Sequence, residues 1–219
     1  RLEAAGRMFP VELRYLPGRT RRPPWELAAD ALAEILPTRE PGDVLVFMPG
    51  AYEIRRTIEA GRRVAAGAGL PVEFLPLHGA LPPERQAAAL APLPGRRKVV
   101  VATNVAETSL TIDGIRHVID AGLAKIHRHD PRRGLNVLLI EPVSRAATEQ
   151  RAGRAGRTAP GICRRLWSEA EQHARPAHTA PEIRRVELAQ AVLQLHALGE
   201  RDLRHFPWLE PPPEAALAH

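Results

Sequence analysis

The residues from Gln150 to Arg157, QRAGRAGR, alternate small residues with arginines at a spacing of three. If they close a helix, Arg154 and Arg157 fall on one face, and the glycines leave room for an anion to approach the backbone. Two guanidinium forks meeting one phosphate would stabilise the charge that builds up in phosphoryl transfer, and Gln150 could hold an attacking water. A solvated basic helix end would carry the same letters. A second run, ATNVAETSLTID from Ala102 to Asp113, packs seven polar side chains into twelve residues directly after an apolar stretch. Loops at the carboxyl ends of parallel strands are where α/β sheets bind ligands. A capped helix start with Thr108 or Ser109 as N-cap accounts for one or two of these groups and leaves the rest without a role.

The elements that must position these runs follow from apolar spacing. Met8 to Leu16, Val44 to Met48, Pro71 to Leu77, Lys98 to Ala102, Ile115 to Asp120 and Gly161 to Trp167 read as strands. Between them, Trp25 to Leu36, Tyr52 to Ala66, Pro82 to Leu90 and Ser144 to Gly153 read as helices. This alternation predicts a three-layer α/β sandwich around a mostly parallel sheet. Leu123 to Val143 breaks the rhythm, because two strand-like runs flank Asp130 to Gly134 as in an inserted β-hairpin. Pro181 to Leu198 opens a short C-terminal helical segment of different character. The expected division is a linker and first strand over 1–24, the main domain over 25–170 and a further region over 171–219.

Composition bounds the partners. A formal net charge of +6 and a sequence pI near 10.5 favour polyanions, and all of the 31 basic residues except Lys98 and Lys125 are arginine. Arginine grips phosphate bidentately, although a GC-rich genome supplies it as well. No apolar run approaches the length of a membrane span. Cys163 is the only cysteine, which excludes an internal disulfide and a cysteine-built zinc site and fits a reducing, cytoplasmic setting. His127, His129 and Asp130 suggest a metal site only weakly, since histidines at spacing two on an exposed strand are usually solvated; no metal site is expected. The chain begins at Arg1, without Met, and reads as a fragment.

In order and content these motifs resemble the second RecA-like domain of DEAH-box RNA helicases, the bacterial Hrp-type branch in particular. The carrying segments are Gly6 to Pro10, VLVFMPGAYEI from Val44 to Ile54, HGALPPERQ from His78 to Gln86, TNVAETSLTIDG from Thr103 to Gly114, and QRAGRAGR. The resemblance implies a RecA-like fold, with Gln150, Arg154 and Arg157 facing the γ-phosphate of ATP and its attacking water. It further implies Ser109, Thr111 and Asp113 near the nucleotide, and Thr103, Asn104, Gly50 and Ala51 against the backbone of single-stranded or partly duplex RNA. Leu90 stands where the family often places an aromatic ring on adenine, which would leave plain apolar contact with the base. The hairpin would project toward nucleic acid. Phe206 to Pro213 resemble the entry into a winged-helix region.

Neither G-x-x-x-x-G-K-[ST] nor an Asp-Glu pair after a strand occurs in the sequence. The resemblance assigns the phosphate cradle, and most of the hold on Mg²⁺, to an upstream RecA-like domain that would be this chain's partner across the ATP cleft. The chain alone is then expected to hydrolyse ATP negligibly. A non-catalytic, basic RecA-like module that merely holds RNA or protein is the alternative, and it would need neither Gln150 nor Arg154. A Rossmann-type enzyme would place G-x-G-x-x-G at the first strand, whereas Gly153 and Gly156 follow a helix.

Overall fold

The computed structural model describes residues 9–38, 40–107, 112–130 and 132–217. Six strands, β1 (Val11–Leu16), β2 (Asp43–Phe47), β3 (Val72–Leu77), β4 (Arg97–Ala102), β5 (Ile115–Asp120) and β8 (Gly161–Ser168), form one sheet in the order β1-β8-β5-β2-β4-β3. Every pairing in it is parallel. The helices α1 (Pro24–Ile35) and α2 (Ala51–Gly67) cover one face, while α3 (Pro83–Leu90) and α4 (Arg145–Ala152) cover the other.

The central strands explain this layering. Val44, Val46, Val99 and Val101 point into one core cluster, and Leu45, Phe47, Val100 and Ala102 into the second. Successive residues of a strand face opposite sides, so burial on both faces requires the unbroken apolar runs seen in the sequence. Lys98 is the exception, with no exposed surface; its ammonium donates to the carbonyls of Ala91 at 2.8 Å and Ala89 at 3.3 Å. It thereby satisfies the open end of α3, and burial lowers its pKa.

The chain divides into two compact units, Arg1–Ala124 with Pro142–His178, and Lys125–Glu141 with Thr179–His219. The first reaches His178. It includes α5 (Glu169–Ala174), which the sequence reading left out although Ser168 and Glu171 form a complete capping box. Beyond it, Arg175 lies 4.2 Å from the Trp167 ring and donates to the carbonyls of Gly122 at 2.8 Å and Val143 at 2.9 Å. Among the described residues β1 pairs along β8 at the edge of the sheet. Gly6 and Met8 lie outside the described residues.

The second unit contains most of the hairpin of β6 (Leu123–Asp130) and β7 (Leu135–Pro142), grouped with the C-terminal segment and not with the sheet. Arg128 bridges the two strands to Glu141 through bonds of 3.0 and 2.8 Å. At the turn, Asp130 accepts from the amides of Arg132, Arg133 and Gly134, and Gly134 takes the left-handed φ of 63° that closes it. The helix expected over Pro181 to Leu198 is broken into a 3₁₀ turn (Glu182–Arg184) and α6 (Ala189–Ala197). Between them Arg185 gives its carbonyl to the His129 amide at 2.7 Å and its guanidinium to the His127 carbonyl at 2.9 Å, contacts that a continuing helix would forfeit.

Candidate functional site

Ser144 caps α4 by accepting from the Ala147 amide at 3.3 Å, and after Ala152 the helix tightens into a 3₁₀ turn, Gly153–Gly156. Residues three apart eclipse in such a turn, which brings Arg154 and Arg157 to one side. Both line a narrow crevice with Leu45, Ala106, Ile112 and Ile115. Arg157 and Gln150 are exposed, whereas Arg154 is only 6% exposed and its Nε donates to the Glu107 carbonyl at 3.1 Å. Burial, and after it the charge of Arg157, lowers the Arg154 pKa; Glu107 opposes them.

The expected role of the glycines changes at Gly156. A Cβ there would meet the Phe9 carbonyl oxygen at 2.5 Å, and the Phe9 amide donates to the Gly156 carbonyl at 2.9 Å. The space beside this glycine is thus filled by the chain entering β1, not left open for a phosphate.

Arg151 is the centre that the sequence reading passed over. Its side chain is 1% exposed; Nε donates to Glu107 Oε2 at 3.0 Å, and Nη1 to Asp120 Oδ1 at 2.9 Å and to the Leu123 carbonyl at 3.3 Å. The guanidinium also lies 4.9 Å from the Phe47 ring centroid. Burial works against its charge, but the carboxylates of Asp120 and Glu107 outweigh that and hold its pKa above the usual range. The available signals were Asp120, a charge closing the strand read over Ile115 to Asp120, and a run of arginines that starts at 151.

The loop from Thr103 to Gly114 leaves the carboxyl end of β4 and enters the amino end of β5. Because those strands are parallel, Thr103 and Gly114 lie at opposite ends of the strands, the carboxyl and the amino end. At its start, the Thr103 amide donates to the Leu77 carbonyl at 3.1 Å, and Asn104 is exposed. Gly50 and Ala51 leave the same end from β2, whose neighbour Met48 donates to the Ala102 carbonyl at 2.8 Å; Gly50 is buried and Ala51 exposed. Asp113 is exposed in the turn before β5. Ser109 and Thr111 lie outside the described residues. Leu90, at the end of α3, is partly buried and packs against the second core cluster.

The helicase conserved C-terminal domain family matches residues 28–159 of this chain. The chain belongs to that family. It is 42% identical over 220 residues to the pre-mRNA-splicing factor ATP-dependent RNA helicase prp22 of Schizosaccharomyces pombe, spanning 97% of this chain and 18% of that protein. To the ATP-dependent RNA helicase HrpA of Escherichia coli it is 44% identical over 216 residues, 96% of this chain and 16% of the helicase. The crystal structures of the E. coli DExH-box NTPase HrpB and of the DEAH/RHA helicase HrpB superpose with TM-scores of 0.87 and 0.89 at 43% and 42% identity. Both cover 97% of this chain, which corresponds to 26% and 27% of theirs. This helicase C-terminal domain therefore has the RecA-like fold of its relatives and spans less than a third of the length of each.

Proposed function

We propose that this helicase domain is the C-terminal motor half of an ATP-dependent RNA helicase of the DEAH type. One observation carries the reading: the segment that leaves the carboxyl ends of the strands at Thr103 and Asn104 runs on to Glu107, which is held by Arg151 through its carboxylate and by Arg154 through its carbonyl. A movement at the edge bearing Thr103, Asn104, Gly50 and Ala51 is thereby transmitted to the turn bearing Arg154 and Arg157. In this reading the former edge holds RNA through phosphates and sugars, without reading sequence. The latter turn meets the γ-phosphate, with Gln150 orienting water, and Ser109, Thr111 and Asp113 stand near the nucleotide with Leu90 against its base.

The donors fit the phosphate half of a split ATP site. Two guanidinium groups supply N–H donors and positive charge for a developing phosphoryl charge. Among the described residues no group of three or more His, Cys, Asp or Glu side chains is assembled to hold a metal ion. The resemblance to DEAH-box helicases assigns most of the hold on Mg²⁺ to the phosphate-loop domain of the full-length protein, the partner across the cleft. The proposed domain limits remain 25–170 for the motor fold and 171–219 for the start of a winged-helix region. The lone cysteine supports a cytoplasmic setting.

Steady-state ATP hydrolysis with and without single-stranded RNA tests the reading. This chain alone is expected to be silent, and robust turnover by it would contradict a split site. In the full-length protein, Arg157→Ala is expected to lower RNA-stimulated kcat by about 10³-fold or more while RNA affinity stays within a few-fold. An equal loss of affinity would make Arg157 a binding or structural residue.

A further inference from the structure

Tyr52 is the second residue of α2, two after the N-cap Gly50, and 51% of its surface is exposed. Tyrosine is not a strong helix former, and half a ring in water adds little to the core. Yet the ring is held in place. Trp25, in the first turn of α1, packs on it edge to face, with ring centroids 5.7 Å apart at 88°. Arg55, one turn along α2, places its guanidinium 5.6 Å from the Tyr52 ring centroid, and Arg56 places its own 5.7 Å from that of Trp25. Arg56 has Glu59 as a partner at 3.4 Å. Among the described residues no carboxylate pairs with Arg55, so a full positive charge stands over an exposed aromatic face.

An aromatic platform beside an unpaired cation is the composition with which proteins hold single-stranded nucleic acid, the ring stacking on a base and the cation meeting a phosphate. The position suits that use. Tyr52 follows directly on the β2–α2 turn, whose strand is bonded to β4 where Thr103 and Asn104 emerge. We propose that Tyr52 and Arg55 form a base-stacking site for single-stranded RNA, resting on the reading of this edge as the RNA face. A base displaces the Arg55 guanidinium from the ring, and the freed guanidinium takes the adjoining phosphate. Trp25 is a positioning residue, fixing the Tyr52 rotamer so that little side-chain freedom is lost on binding. Stacking accepts any base, so the site adds affinity without sequence preference.

Fluorescence anisotropy with a short labelled oligouridine and an abasic oligomer of equal length tests this, with the melting temperature of each variant recorded. Tyr52→Ala is expected to weaken oligouridine binding about 5-fold or more, the lower end of what one stacked base contributes, and to leave the abasic oligomer unaffected. Tyr52→Phe should restore the difference, and Arg55→Gln should weaken both oligomers. The proposal is overturned if Tyr52→Ala weakens the two equally, if it changes neither, or if its effect comes only with a lowered melting temperature. Thr103→Val and Asn104→Ala separate the two readings. If these leave binding of the abasic oligomer intact while Tyr52→Ala behaves as expected, the RNA edge is wrongly placed and the stacking site stands. If the unaltered chain binds neither oligomer, both fall together.

Discussion

Arg151 keeps its charge where almost no water reaches it, and two carboxylates and a ring face make that tolerable. Removing one member of such a group leaves the others buried and unpaired, which costs about 3–5 kcal/mol. Arg151→Ala is accordingly expected to lose about that much unfolding free energy in urea titration, and Arg151→Lys to recover little, since one ammonium cannot reproduce the forked contacts. His117 adds a pH dependence. Its side chain is 4% exposed; burial, then the nearby charge of Arg97, lowers its pKa to about 4 against 6.5 unperturbed. Arg164 and Arg116 push the same way, and Glu40 at 3.9 Å opposes them. Between those two values the unfolded chain binds more protons than the folded one, so stability is complete above about pH 6.5 and declines as pH falls toward 4. Thermal melts from pH 7 to 5 should show a decline that His117→Asn largely removes. At this scale the sequence announced the exposed arginine and the polar loop, because spacing and polarity are local. It could not announce that Arg151 meets Asp120 and Glu107, which lie 31 and 44 residues away.

The 3₁₀ turn after α4 is held by backbone as much as by arginine. Gly156 must let the Phe9 carbonyl pass, so Gly156→Ala forces the entry to β1 aside and is expected to cost about 1–3 kcal/mol, read as a lowered denaturation midpoint with an unchanged slope. A similar fit governs α2, where a Cβ on Gly61 would collide with the Phe74 ring. The elements themselves were legible wherever burial on both faces forces a continuous apolar run, as in Val44 to Phe47 and Val99 to Ala102. α5 was missed although its Ser168–Glu171 capping box is written in four residues, because it is short and follows a strand directly. The break between Glu182–Arg184 and α6 was not legible at all. It depends on Arg185 finding the backbone of His127 and His129 more than fifty residues away.

At the scale of the whole molecule, the parallel sheet was implied by the α/β alternation but its strand order and edges were not. Among the described residues β1 has one neighbour, β8, and that pairing joins the earliest strand to the last. The contact between Tyr15 and Arg165 spans 150 residues. A ribosome adding about 5–20 residues per second takes on the order of 10–30 s to cover that interval. Throughout it β1 has no strand to pair with, and the first sheet contacts must form among β2, β3, β4 and β5 without it. Glu12 and Arg14, exposed and bonded to each other at 2.7 Å, place opposite charges on the strand that waits. Charged side chains discourage a lone strand from pairing with another chain. The newborn domain thus carries its own guard against aggregation on the strand whose sole described partner is synthesised last.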